Sequence, residues 1–189
     1  MSRESSTGFS DPPAVACRAA TAADALCIGV LGTHVFLDTY ATDGIRPSLA
    51  REVLEHLSTS AISALLARPA TVFIVAEVSE HMVGFAQFTL GARHPLVAGG
   101  VQAELNRLYV HTRFSGQGIG EALLRRAEML ATEHGASVMW LTAWVENRRA
   151  LAFYAARGYT DVGATPYVFE TEAYENRVFA AALDERAVT

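Results

Sequence analysis

The fold is decided by the stretch Arg107-Leu-Tyr-Val-His-Thr-Arg-Phe-Ser-Gly-Gln-Gly-Ile-Gly-Glu-Ala-Leu-Leu124, which passes from an apolar strand through a glycine-rich turn into a helix. Gly116, Gly118 and Gly120 alternate with other residues in that turn. Glycine lets the backbone direct its N–H groups toward one point, and the dipole of the following helix adds partial positive charge there. The stretch therefore predicts a phosphate-binding turn at the start of a helix.

Two common phosphate-binding motifs do not fit this turn. A P-loop requires Lys followed by Ser or Thr after its second glycine, and the turn contains no such pair. A dinucleotide fingerprint requires Gly or Ala three residues past its second glycine. Counted from Gly118 that position is Glu121, and counted from Gly120 it is Leu123. An ordinary glycine-rich turn between a strand and a helix is the structural alternative.

The strand before the turn, predicted from Gln102 to His111, has an irregular apolar pattern. Leu105 and Leu108 are three residues apart, so strict alternation would place them on opposite faces of the sheet. Leu108 and Val110 share one face. If both leucines pack inward, one extra residue must be absorbed near Asn106-Arg107. We therefore predict a β-bulge in this strand, which is the fourth of the chain.

On either side of this strand and turn, the sequence pattern predicts further strands and helices. Apolar residues recur at helical spacing from Gly118 to His134, and Gly135 ends that helix. Thr71 to Val78 and Met82 to Leu90 have hairpin spacing. Further strands are predicted at 14–20, 137–143, 159–162 and 177–183. Further helices are predicted from Thr21 or Ala22 to Tyr40, at 48–56 (capped by Ser48), from a cap at Ser58 or Ser60 to Leu66, and at 147–156. This order predicts a mixed α/β fold with a central, partly antiparallel sheet.

Composition favours one globular domain. The chain has 189 residues, of which 51% are hydrophobic and 19% charged. We assign residues 1–13 to an irregular N-terminal tail and residues 14–185 to a single domain. The formal charge of −5 disfavours a surface that follows nucleic-acid phosphates.

The sequence also disfavours a membrane protein and a metalloprotein. The longest charge-free apolar stretch, near Ala25 to Leu37, is too short to cross about 30 Å of hydrocarbon. Cys17, Cys27 and the six histidines have no metal-ligand spacing, and two cysteines are too few for a disulfide framework. The first residues contain no apolar signal segment. We therefore predict a cytoplasmic protein that binds no metal and no nucleic acid.

The glycine-rich turn resembles the signature of the GNAT superfamily of N-acetyltransferases, Gln/Arg-x-x-Gly-x-Gly/Ala. The fold of that family implies six to seven strands flanked by four to five helices. The resemblance also implies that acetyl-CoA binds here, with its pyrophosphate on the turn and its pantetheine arm along the bulged strand. The cofactor-binding residues so implied are Ser115, Gly116, Gln117, Gly118, Ile119 and Gly120 in the turn and Leu108, Tyr109 and Val110 in the strand. Ser115 departs from the usual Gln or Arg.

A second segment, Trp144 to Tyr159, resembles the Asn…Ala…Phe-Tyr…Gly-Phe/Tyr region of the same superfamily. Asn147 and Tyr154 are seven residues apart, which is two helical turns and places them on one face. By the resemblance, Asn147 contacts the cofactor and Tyr154 protonates the departing CoA thiolate. Alone, Asn147 is equally well explained as a helix N-cap and Tyr154 as a half-buried helix residue.

Glu104, just before the predicted bulge, is the candidate base. The structural alternative for a glutamate on a strand is a solvated face. The superfamily often uses an acid near this position, or a water held by it, to take the proton from the amine, and Glu104 would then be catalytic. The patterns Glu104-Leu-x-Arg-Leu-Tyr-Val and Leu141-x-x-Trp-x-x-Asn-x-x-Ala look like the polyamine-acetylating, PaiA-like members. The resemblance extends from about Arg18 to Leu183.

These observations predict an acetyl-CoA-dependent N-acetyltransferase that moves acetyl directly to a primary amine. An acidic chain and the PaiA-like pattern favour a small, cationic, polyamine-like acceptor, with a site bounded by Tyr40 to Leu49 and Gly163 to Asn176. The alternatives are a non-catalytic acyl-CoA-binding regulatory module and a transferase for peptide or protein amines. The sequence leaves acyl-chain length and oligomeric state open, and a homodimer is among the possible states.

Overall fold

The computed structural model describes residues 14–169 and 172–183. Within them, one seven-stranded sheet has the order β1-β2-β3-β4-β5-β7-β6. The strands are β1 (Val15–Ala19), β2 (Thr71–Val78), β3 (His81–Leu90), β4 (Gln102–Val110), β5 (Val138–Trp144), β6 (Thr160–Phe169) and β7 (Glu172–Ala182). The α-helices are α1 (Ala25–Tyr40), α2 (Pro47–His56), α3 (Thr59–Leu66), α4 (Ile119–Glu133) and α5 (Arg148–Ala155). The predicted mixed α/β fold is confirmed, whereas the predicted tail, residues 1–13, lies outside the described residues.

The sheet opens between β4 and β5. All neighbouring strands are antiparallel except this pair, which is parallel and extends only from Gln102 to Glu104 on β4 and from Val138 to Trp140 on β5. Beyond these residues β4 stays paired with β3, and β5 stays paired with β7 as far as Trp144. The two strands therefore separate and leave a cleft through the sheet.

The predicted bulge lies in β4. Gln87 of β3 is paired with Arg107, but Phe88 is paired with Leu105, so Asn106 has no partner in the register. Because the extra residue restores the parity, Leu105 and Leu108 pack against the same hydrophobic core.

Two cores cover the two faces of the sheet. On one face, α4 and α5 pack on the strands around Leu123, Tyr154 and Phe88. On the other, α1 and α3 pack around Ile28, Ile62 and Phe85. The parity of β4 therefore assigns each of its side chains either to the α4 face or to the α1 face.

Helix α1 is apolar on most of its surface. Together with a preceding 3₁₀ turn, the segment Ala22–Tyr40 is long and apolar enough, by length and composition, to cross a membrane, so it exceeds the apolar stretch recognised in the sequence. In this fold Ala25, Ile28 and Leu31 are buried against α3 and the sheet. Leu26 and Val30 on the opposite side are exposed.

Three elements, α2, β6 and β7, have bounds that differ clearly from those predicted. Helix α2 begins at Pro47 with Arg46 as its N-cap, because proline suits the first helical turn and lacks only an N–H that would have no partner there. Ser48, the predicted cap, is a buried helix residue. Strands β6 and β7 are much longer than predicted. The two strands pair with each other and form a two-stranded ribbon, most of whose residues are exposed. The ribbon therefore lacks the apolar periodicity on which the prediction relied.

Candidate active site

The turn before α4 presents free backbone donors. Gly116 and Gly118 have φ values of 78° and 79°, a left-handed conformation that favours glycine, and Gly118 is the N-cap. In the described part of the chain, the N–H groups from Gly116 to Glu121 donate to no protein acceptor. The Ser115 amide, in contrast, donates to the Thr112 carbonyl at 3.2 Å. The structure thus brings five of the predicted turn amides together, adds that of Glu121, and engages that of Ser115 elsewhere.

The third glycine of the turn, Gly120, is favoured for a different reason, namely the limited space for a side chain. Gly120 has an ordinary helical φ, and a Cβ on it would lie 3.4 Å from Cε2 of Phe153. The start of α4 therefore lies directly against α5. Arg157 reinforces this contact, because its guanidinium donates to Glu121 at 3.0 Å and lies 3.7 Å from the centre of the Phe153 ring.

Beside this turn, the second half of β4 forms one wall of the cleft. Leu108 and Val110 direct their side chains into the core beneath α4, whereas Tyr109 faces the α1 side. Among the residues that the structure describes, the edge of β4 that faces the cleft has no strand partner past Glu104. Leu108 to Val110 can therefore offer backbone groups, rather than side chains, to a molecule in the cleft.

Asn147 is the N-cap of α5. Its carboxamide oxygen accepts from the Ala150 N–H at 3.1 Å, which is the structural role considered from the sequence. The side-chain NH₂ group has no protein acceptor among the described residues. Capping thus uses one end of the Asn147 side chain.

Tyr154 lies in α5 on the α4 side of the sheet. It is 8% exposed, and its ring packs edge-on against those of Phe153 and Tyr159. Burial, with smaller contributions from Tyr109 and Tyr40, raises the pKa of the Tyr154 phenol well above its usual value. The hydroxyl has no protein hydrogen-bond partner in the described part of the chain. It is also not a fully enclosed polar atom, so it reaches accessible space.

A pocket of about 400 Å³ lies on the α1 face of the sheet. Glu104, Asn106 and Arg107 of β4 line it together with Gln87 of β3. Its aromatic walls are Phe36, Tyr40, Tyr109, Trp144, Tyr167, Phe169 and Tyr174. Both segments predicted to bound the acceptor site contribute, because Tyr40, Arg46 and Leu49 come from one and Tyr167, Phe169, Tyr174 and Asn176 from the other.

Glu104 is at the point where β4 and β5 separate. It is the last β4 residue with a partner on β5, and it is half-buried. Burial raises the pKa of its carboxyl group, and a hydrogen bond from Asn106 partly offsets this rise. A raised pKa suits a group that must accept a proton.

The cleft brings the two faces of the sheet together. Tyr154 lies on the α4 side of the sheet, and Tyr109 and Glu104 lie on the pocket side. Burial is the main cause of the raised pKa of Tyr154, and Tyr109 and Tyr40 add smaller electrostatic contributions. The groups around the cleft therefore include a neutral phenol on one side and a half-buried carboxyl on the other.

Arg107, Gln87 and Trp144 were not recognised from the sequence as site residues. The bulge predicted from the sequence could have identified Arg107 as a site residue. A parity change at Asn106 places Arg107 on the same face as Glu104 and Tyr109. Among residues 14–169 and 172–183, no three His, Cys, Asp or Glu side chains lie together in a way that could hold a metal ion.

Comparisons with known proteins identify the family of this chain. The sequence model of the Acetyltransferase (GNAT) family matches residues 37–159, and the chain belongs to this family. It is 25% identical over 130 residues to an uncharacterized N-acetyltransferase of Lactobacillus delbrueckii subsp. lactis, a match that covers 69% of this chain and 75% of that relative. It is 32% identical over 97 residues to an uncharacterized N-acetyltransferase of Methanocaldococcus jannaschii, covering 51% of this chain and 42% of the relative.

Two solved structures have the same fold. PaiA N-acetyltransferase from Thermoplasma acidophilum, in complex with coenzyme A, superposes with a TM-score of 0.70 at 18% identity, covering 87% of this chain and 98% of that one. The yncA protein from Salmonella typhimurium, with its cofactor acetyl-CoA, has a TM-score of 0.62 at 22% identity, covering 90% and 95%. The predicted superfamily and fold are confirmed.

Proposed function

We propose that this protein transfers the acetyl group of acetyl-CoA directly to the primary amine of a small acceptor. The observation that carries the proposal is the cleft between β4 and β5. It has free amides at the start of α4 on one side and the aromatic pocket containing Glu104 on the other. Donor and acceptor can thus enter from opposite faces and meet between Glu104 and Tyr154.

The donor side fits acetyl-CoA. Six consecutive free amides at a helix N-terminus, Gly116 to Glu121, provide the donors and partial positive charge that a pyrophosphate requires. The unpaired edge of β4 at Leu108 to Val110 provides backbone groups for the amides of a pantetheine arm. The complexes of PaiA with coenzyme A and of yncA with acetyl-CoA support this choice of donor.

The chemistry assigns one proton transfer to each side of the cleft. Acetyl-CoA supplies a thioester whose carbonyl carbon an uncharged amine nitrogen can attack. Glu104, directly or through one water, takes the proton that the amine must lose. As the C–S bond breaks, Tyr154 donates its phenolic proton to the leaving thiolate. Because burial keeps that phenol neutral, Tyr154 is protonated over the working pH range.

The acceptor amine is cationic in solution, and the pocket contains groups that attract a cation. Glu104 offers a negative charge, and the rings of Tyr40 and Trp144, with centroids 5.9 Å apart, offer π faces. A cationic amine group, such as one end of the polyamine-like acceptor that the sequence predicts, would satisfy this end of the pocket. We place the reaction in the cytoplasm, because Cys17 and Cys27 are free thiols rather than parts of a disulfide.

Thiol release measures this activity. The purified chain is incubated with acetyl-CoA and a panel of polyamines, amino acids, aminoglycosides and peptides with free N-termini. Mass spectrometry then identifies any N-acetylated product. We expect stoichiometric release of CoA and formation of an amide. Binding of CoA in a calorimeter, without turnover of any amine, would instead identify the non-catalytic acyl-CoA-binding module.

A further inference from the structure

We propose that Arg107 and Gln87 form a carboxylate subsite in the acceptor pocket, so that the acceptor is a small aminocarboxylate such as an amino acid. The inference rests on the proposed function and narrows its substrate class. The two residues are cross-strand partners on β4 and β3, and both line the pocket. Gln87 is 3% exposed, and its side-chain oxygen accepts a hydrogen bond from the Arg107 guanidinium.

Among residues 14–169 and 172–183, no carboxylate neutralises the charge of Arg107. Within residues 14–169 and 172–183, no carboxylate oxygen lies within 4.0 Å of its guanidinium. Its polar partners are neutral, namely the Gln87 carboxamide and the Tyr109 phenol. Other charged groups of the pocket differ in this respect, because Arg46 pairs with Glu172 and Glu52 with His56.

A guanidinium in this setting favours an anion. A charged group partly removed from water is costly unless it is paired. Arginine presents five N–H donors in a planar fork that matches a carboxylate in two parallel hydrogen bonds. Gln87 accepts from one nitrogen of that fork, and Arg107 lines the pocket with further N–H donors.

Glu104 supplies the complementary charge on the same strand face. Glu104 and Arg107 both line the pocket but form no ion pair, since the bulge at Asn106 lies between them and Asn106 is the hydrogen-bond partner of Glu104. A negative and a positive group that do not neutralise each other match a zwitterion, with its ammonium toward Glu104 and its carboxylate toward Arg107. A polyamine would bring only positive charge to Arg107, which is unfavourable.

Matched acceptors test this inference. Glycine, leucine and phenylalanine are each compared with their carboxamides, and spermidine is included. We expect Arg107→Met to lower the acid-to-amide ratio of kcat/KM by roughly 10- to 100-fold, the loss of a charge-assisted interaction. Comparing this ratio between wild type and variant cancels the difference in amine pKa between acid and amide. Arg107→Lys should retain part of the preference.

The matched control is Arg177→Met, which removes an arginine that does not line the pocket and pairs with Asp161 and Glu175, and it should leave the ratio unchanged. A merely structural role of Arg107 would lower kcat/KM for every acceptor by one common factor. That result, or a wild-type enzyme that prefers spermidine to every amino acid, would overturn the inference and leave the acetyltransferase intact. Absence of turnover with any amine would instead overturn the proposed function. If Arg107→Met does not fold, Arg107→Lys and the wild-type preference still decide.

Discussion

Tyr154 and Glu104 lie on opposite faces of the sheet, and their surroundings suit the opposite proton transfers that the proposed function gives them. Tyr154 is packed among aromatic rings, so ionisation of its phenol is disfavoured and the group retains a proton to donate. Glu104 is half-buried next to the polar side chain of Asn106 and can accept one. Two titratable groups in such different environments are the usual arrangement for acid and base.

Replacing Tyr154 by Phe removes only the phenolic oxygen. We expect kcat to fall by roughly 10²-fold or more, because a positioned general acid is lost, while CoA affinity changes little. Single-turnover kinetics and calorimetry would measure the two quantities. The matched control is Tyr159→Phe, since that neighbouring phenol donates to Glu128 at 2.9 Å and has no place in the proposed reaction. Near-normal kcat in Tyr154→Phe, with chemistry rate-limiting, would make Tyr154 a packing residue.

Glu104→Gln should change the pH dependence of the reaction. Wild-type kcat/KM rises with pH as Glu104, whose pKa is raised by burial, and the acceptor amine lose protons. Without the carboxylate we expect a loss of about 10²-fold near pH 7 that shrinks in alkali, where more acceptor is already deprotonated. Initial rates from pH 6 to 10 would show this. Glu52→Gln, which removes the partner of His56, should leave the shape of the profile unchanged.

At the scale of elements, the start of α4 is where the proposed function places donor binding. Gly118 has a φ of 79°, and no atom lies within 4 Å of the position that a Cβ would take. A valine there would strain the backbone, which disfavours a β-branched residue at this φ, and would project into the space above the free amides. We expect Gly118→Val to weaken CoA binding at least tenfold by calorimetry.

Helix α4 provides the control for Gly118→Val. Gly135, just beyond its other end, has a φ of 84° and equally open surroundings. Gly135→Val therefore imposes a similar strain far from the cleft and should leave CoA affinity unchanged. Ser115→Ala should also matter little, because no side-chain hydrogen bond of Ser115 is formed within the described residues. Equal affinities of Gly118→Val, Gly135→Val and wild type for CoA would refute the assignment of the turn.

Elements with strong local patterns could be predicted from the sequence. The bulge followed from the three-residue spacing of Leu105 and Leu108, and α4 from its periodic apolar face. The ribbon of β6 and β7 could not be predicted in full. Tyr167 and Val168 are exposed, so the sequence there does not alternate between a core and solvent. The length of β6 and β7 is evident only from the pairing of the two strands.

At the scale of the whole molecule, the pocket is assembled from parts distant in sequence. Tyr40 ends α1, Arg107 follows the bulge, Trp144 ends β5 and Tyr167 lies in the ribbon. The turn proposed to bind the cofactor is contiguous and could be recognised by its glycines alone. The acceptor pocket could not, because its composition depends on which strands are neighbours, and the order β5-β7-β6 is not a local property.

An ion-pair cluster connects strand β1 to the neighbouring elements. Arg18 of β1 donates two hydrogen bonds of 2.8 Å to Asp24, and it also pairs with Glu77 of β2. Asp24 is 8% exposed and accepts from the backbone N–H and the hydroxyl of Thr21 in a capping box. The cluster thus joins β1, β2 and the start of α1.

Asp24→Asn should therefore reduce the free energy of unfolding of the whole chain, by about 1.5–3 kcal/mol at pH 7, since it weakens hydrogen bonds to a charged group. The Arg18 guanidinium, and then the Thr21 donors, hold the pKa of Asp24 well below its usual value in the folded state. The stability that this carboxylate contributes is complete above the unfolded pKa of about 4 and is lost as pH falls toward the folded pKa. The difference between wild type and Asp24→Asn should accordingly narrow by about 1 kcal/mol between pH 6 and pH 3. Urea unfolding at both pH values measures it, and a difference that stays constant or widens in acid would contradict the role given to this ion pair.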